Sequence, residues 1–195
     1  MVRKSLLRLS VLCICLLCAA GLFAQDKNAD PEAMQKAWMD YMTPGPIHKM
    51  WAESAGEWKF KMKMWMNPAA EPMVSEGTSS NEMILGGRYL KSVRKGSMMG
   101  MPFEGWSLMG FDNISMEITA VWYDNGGTGT AIAKGTFDQA TNTITLHGSA
   151  MDPMSKKEKP SRQTFMFIDK NNQLMEYFMI KGDKEIKIVE VSYSR

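Results

Sequence analysis

The chain predicts an all-β fold, an antiparallel up-and-down barrel of about ten strands behind one or two short helices. Three observations carry this. In Trp58-Lys59-Phe60-Lys61-Met62-Lys63-Met64 every even position is apolar and every odd one is lysine, the period of a strand with one buried and one solvated face. Comparable runs recur to the C-terminus, separated by glycine, proline, asparagine or aspartate. Those separators are too short for parallel crossovers, which take a dozen or more residues, so neighbouring strands must run antiparallel.

The N-terminus comes first. Met-Val-Arg-Lys-Ser-Leu-Leu-Arg is basic, and an uncharged apolar run from Leu9 to Phe23 follows. That run is shorter than the roughly 20 residues a membrane span needs. A basic start, a short apolar segment and a small residue before a polar stretch predict a cleaved signal peptide at residues 1–24, with the cut near Ala24/Gln25. Acylation at Cys18 is the weaker alternative, because Leu17 stands where a small residue is required. The mature protein is then expected in the periplasm or outside the cell. Cys13, Cys15 and Cys18 all lie in the removed segment, which leaves no disulfide, thiol nucleophile or thiolate ligand. Losing Arg3, Lys4 and Arg8 leaves 20 basic residues against 21 acidic ones. So even a balance argues against nucleic acid or an anionic membrane surface as partner. No second span follows.

Residues 25–45 read as a polar linker and a short helix. Pro31 suits a first helical position, with helix formers from Glu32 to Met39. Thr43-Pro44-Gly45-Pro46 breaks that helix, and a second is expected from about Ile47 to Ser54, ended by Gly56. Residues 46–195 form the barrel domain. After the first strand, runs near 73–85, 88–95, 103–111, 115–123, 128–137, 142–148, 162–168, 173–181 and 185–193 read as strands. Gly86-Gly87, Asp112-Asn113, Asp124 to Gly127, Asp169 to Asn172 and Gly182-Asp183 carry tight-turn chemistry. Pro153 to Pro160 reads as a longer exposed loop. A sheet this wide curls or closes, and closure removes its exposed edges. A sandwich would need long crossings that the connections do not supply.

Gly56-Glu57-Trp58 opens the first strand and Tyr193-Ser194-Arg195 ends the last. The pairing resembles the lipocalins and fatty-acid-binding proteins, where Gly-x-Trp begins the barrel and a basic residue of the last strand packs on that tryptophan. A fuller set of motifs is ordered along residues 46–195: His48, Gly56-Glu57-Trp58, Leu85 to Leu90, Phe103-Glu104-Gly105, Gly110-Phe111-Asp112 and Trp122-Tyr123-Asp124. It resembles DUF1579, an uncharacterised and often exported bacterial family with a lipocalin-like barrel. The resemblance implies the barrel and brings no activity. A more distant resemblance is to nitrobindin-type barrels, which hold haem iron through a histidine close to the C-terminus. Glu185 to Tyr193 contains no histidine, a departure from that pattern.

The expected function is binding of a small apolar molecule. Candidate walls are Phe60, Met62, Met64, Trp106, Leu108, Trp122 and Phe178, and Arg88 is the candidate for a carboxylate on the ligand. Gly56, Trp58 and Arg195 are assigned a structural role. Methionine is abundant: all 20 but the first survive signal removal. Met62, Met64 and Met66 share a face, and Met98-Met99-Gly100-Met101 clusters in a turn. Thioethers suit Cu(I), so copper handling is the first alternative, against methionine as an adaptable apolar wall. The second alternative is an enzyme using Glu104, Asp112, Asp124 or Glu190. No catalytic motif is present. His48 and His147 sit on different elements without acidic neighbours spaced for metal, and neither a metal nor a cofactor is implied.

Overall fold

A computed structural model describes residues 30–195; the predicted signal peptide lies outside the described residues. The described chain divides into two compact units at Met42/Thr43. In the first, helix α1 (Pro31–Met42) starts at a proline, as its missing N–H allows, and leaves every side chain exposed.

The second unit is a closed barrel. Helix α2 (Pro46–Glu53) precedes β1 (Gly56–Met64), β2 (Met73–Ile84), β3 (Tyr89–Met98), β4 (Met101–Asp112) and β5 (Glu117–Asp124). Then follow β6 (Ala131–Asp138), β7 (Thr143–Asp152), β8 (Lys157–Asp169), β9 (Asn172–Lys181) and β10 (Lys184–Ser194). Each strand pairs antiparallel with its sequence neighbours, and β1 pairs with β10 to shut the ring. The tight Met99-Gly100 turn has both residues at positive φ, 54° and 78°, the geometry whose twist matches the flanking strands.

One expected loop is a strand instead. Residues 157–160 belong to β8, and Pro160 stands opposite Ser149 of β7. β8 pairs with β9 only from Ser161 onward. Pro160 therefore has a strand on one side only, where its missing N–H is tolerated.

Up-and-down topology gives the barrel two different ends. At the end where the chain enters and leaves, α2 is a plug. Trp51 is fully buried against Leu90, Met109, Ile118, Ile144 and Leu146, with Ile47 and Met50 beside it. The helix is held at both of its ends. At the start, the Gly45 N–H donates to His48 Nδ1 over 3.0 Å. At the finish, the Ser54 carbonyl accepts from Trp58 Nε1 (2.9 Å) and Asn81 Nδ2 (3.2 Å), and Ser54 Oγ accepts from Gln173 Nε2 (3.1 Å). Arg195 completes the junction. Its guanidinium lies 4.3 Å over the Trp58 ring and donates to the carbonyls of Ala55 and Glu53. A second cluster, Trp58, Phe60, Met175, Val191 and Tyr193, carries the core across the β1/β10 seam.

Two outcomes follow from this packing. Arg195→Ala removes the stacked cation and its contacts to the carbonyls of Glu53, Ala55 and Lys170, and is expected to lower Tm by roughly 3–8 °C; Arg195→Lys, which cannot fork, should recover only part. A melt of Arg195→Ala matching wild type would contradict this role. His48 is buried between Trp51 and Phe111, and burial, with Arg88 nearby, holds its pKa below the ordinary value. The unfolded chain thus takes up this proton first as pH falls. Stability is full above about pH 6.5 and declines as pH drops towards the folded value. Urea midpoints measured from about pH 8 to pH 5 should show that decline. The decline should flatten in His48→Gln, which keeps an acceptor for the Gly45 N–H.

Candidate functional site

The far end of the barrel, opposite α2, is built differently. Met62 and Met64 point inward from β1, Met73 and Ser75 from β2, and Met98 from β3. With Val74, Ser97 and the Met99-Gly100 turn they line a hollow of about 350 Å³ that opens to solvent where β2 and β3 part beyond Gly77/Gly96, within the range of small-molecule pockets. Met73 and Met99 are exposed at its rim. Below it, the Phe60 ring lies against Gly77 and Gly96, which face one another across β2 and β3. A Cβ on Gly77 would stand 2.5 Å from Phe60 Cζ, so the glycine is what lets the ring lie flat on the wall.

Deeper again lies an arginine that sequence reasoning missed. Arg94 of β3 points into the barrel, its Cζ 4.8 Å from the Trp122 ring, 5.4 Å from Tyr193 and 6.0 Å from Phe165. Trp122 can reach it because its indole lies over Gly105, the residue opposite Arg94 on β4; a Cβ there would be 2.4 Å from the indole. Arg94 Nε is buried without a hydrogen-bond partner, as are Tyr193 OH and Ser75 Oγ. Among the described residues no carboxylate pairs with Arg94. Asp124, inward and two strands along the same register row, accepts instead from Trp122 Nε1 (2.6 Å) and the Gly126 N–H (2.9 Å). Burial pushes the Tyr193 phenol up, and the Arg94 charge opposes that shift. Ser79, Ser92, Ser107 and Ser161 are the other buried polar side chains along the inner wall.

Of the side chains expected to wall a cavity, Phe60, Met62, Met64 and Trp122 face into the barrel, and Met62 and Met64 line the hollow. Trp106, Leu108 and Phe178 have the opposite parity and face outward. Trp106 is 47% exposed, with Lys91 Nζ 4.9 Å above its ring and Glu104 accepting from its Nε1. Phe178 lies under Arg162, which forks onto Glu185. Each of these strands has aromatic or aliphatic residues on both faces, so hydrophobicity alone could not choose the inner one. Arg88 is also misplaced for a ligand in this hollow. It belongs to the turn at the plugged end, where its Nη1 donates to the carbonyls of Leu85 and Gly86.

The four carboxylates named for acid–base work do not converge. Glu104 and Glu190 face outward, onto Lys95 and onto Lys63 and Lys187. Asp112 binds its own turn at the plugged end, through the N–H groups of Ile114 and Ser115. Asp124 is at the other end. Among the described residues no group of three His, Cys, Asp or Glu side chains is placed to hold a metal. No described helix is long and apolar enough to cross a membrane.

A closed ten-stranded barrel with a helical plug at one end and a side-chain-lined hollow at the other is a lipocalin-like architecture. Residues 43–195 match the family described as "Protein of unknown function (DUF1579)", and the chain belongs to that family. No curated protein matches the sequence. Among solved structures, the M. tuberculosis protein Rv2717c is similar in fold. It has a TM-score of 0.59 at 16% identity, over 78% of this chain and 99% of that one. A redesigned β-barrel also matches, with a TM-score of 0.41 at 9% identity over 74% of this chain and 93% of its own.

Proposed function

We propose that this protein is an exported barrel that carries or senses a small, largely apolar molecule without changing it chemically. The observation that carries the reading is the hollow of about 350 Å³ walled by Met62, Met64, Met73, Met98 and Met99. Thioether side chains are unbranched and polarizable, so they mould to irregular apolar shapes. Small barrels either fill their centre or leave room for a ligand, and the glycine-backed wall beneath Phe60 supports the second. Export rests on the reading of residues 1–24 as a signal peptide.

The same five thioethers favour one other reading, capture of Cu(I), for which soft sulfur donors are suited. Native mass spectrometry of the mature protein, purified from its own cell envelope, separates the two. Carriage predicts a reproducible organic mass increment that disappears on denaturation and is absent from Met98→Trp, which fills the hollow. An increment equal to copper selects the metal. A bare mass in both wild type and variant contradicts carriage of a resident ligand. N-terminal sequencing of the same sample should begin near Gln25.

A further inference from the structure

The ligand is an amphiphile with one carboxylate, and Arg94 receives that group: so we infer from the way this residue is held, the inference resting on the carriage reading above. An arginine inside a barrel is costly unless an anion and hydrogen bonds compensate it. Here the compensation within the protein is incomplete. Three aromatic faces surround the guanidinium, yet its Nε has no acceptor, and Asp124 is committed to Trp122 and Gly126. Native proteins rarely leave such groups without a partner.

The geometry selects the partner. A guanidinium fork matches the two oxygens of a carboxylate. Tyr193 OH, also buried and unpartnered, stands on a ring 5.4 Å from Arg94 Cζ and supplies a further donor. One positive charge and one hydroxyl balance a monoanion, not a phosphate dianion. Arg94 is only partly exposed, and the three aromatic faces lower the polarity around it, which strengthens a charge-assisted bond. Met98, at the hollow, is four residues along β3 from Arg94, and Phe60 occupies the inward row between them; the apolar tail of the ligand runs past Phe60 to the methionines. Head inward and tail towards the rim is the orientation this order imposes.

The experiment compares cis-parinaric acid, a fluorescent polyene fatty acid, with its methyl ester in titrations of wild type, Arg94→Met and Tyr193→Phe. Wild type should bind the acid about 10- to 100-fold more tightly than the ester, the range expected of hydrogen bonds to a charged group. Arg94→Met should bind both alike at the ester's affinity, and Tyr193→Phe should lose about 2- to 10-fold of the preference. Arg94→Met should also melt no lower than wild type, because an arginine kept for a ligand costs stability while a structural one supplies it. If Arg94→Met does not fold, Arg94→Lys takes its place, and the loss of the fork should still reduce the preference for the acid.

Equal binding of acid and ester by wild type, or a preference that survives loss of Arg94, overturns this inference and leaves carriage of an apolar molecule standing. Failure of wild type to bind either probe counts against carriage itself. A large drop in the melting temperature of Arg94→Met, with the acid preference absent from wild type, marks Arg94 as a structural pin and also overturns the inference.

Discussion

The carbonyl groups of residues 53–55 are the point on which the rest of the barrel depends. They join α2 to β1, and they collect donors from three strands: Trp58 from adjoining β1, Asn81 from β2 and Arg195 just past the end of β10. The seam they reinforce is short, with six residue pairs from Lys59/Ser194 to Met64/Val189. Extending that register by one step puts Arg195 opposite Trp58, the residue on which it stacks. Lys63, Glu190, Lys187 and Glu176 run along the outside of the same seam as a chain of ion pairs. A ring of strands has no edge only while this joint is closed. Every inward assignment follows from its register, since a slip of one residue would turn each side chain to the opposite face.

Closure leaves a lumen, and the sequence fills its two halves with different chemistry. Around α2 the filling is aliphatic and aromatic, and Trp51, Ile118, Ile144 and Leu146 are completely sealed. Towards the other end it turns to glycine, serine, methionine and one arginine. The first half gains stability from apolar burial. Both halves carry some loss, with Trp51 Nε1 unpartnered and Gly135 inward at the plugged end, but three of the four unpartnered buried atoms among the described residues, Arg94 Nε, Tyr193 OH and Ser75 Oγ, lie on the inner wall away from α2. Such local losses in an otherwise consistent fold are expected at sites kept for function.

How far this was legible in the sequence depended on each strand's two faces. β1 alternates apolar residues with Lys59, Lys61 and Lys63, so its inner face could be read directly, and Phe60, Met62 and Met64 do face inward. On β4 both faces are apolar: Phe103, Ser107, Met109 and Phe111 point in, while Trp106 and Leu108 point out. The larger side chains were the wrong guide there. Pro160 suggested a loop because a proline's missing N–H is tolerated in a strand only where a partner is lacking, and the end of β9's pairing cannot be seen locally. Arg94 carried a signal that went unused. It shares parity with Leu90 and Ser92 and opposes Lys91 and Lys95, which places it on the inner face by the same logic that worked for β1. Its aromatic surroundings come from β5, β8 and β10, and no local pattern brings those strands together.

The most direct test of the account is a crystal structure of the mature protein with a long-chain fatty acid brominated at its tail, the bromine located by its anomalous signal. The account predicts the carboxylate within hydrogen-bonding distance of Arg94 and the bromine among Met62, Met73 and Met98. A bromine signal confined to the outer surface, or a carboxylate held at the rim with Arg94 unchanged, would contradict it.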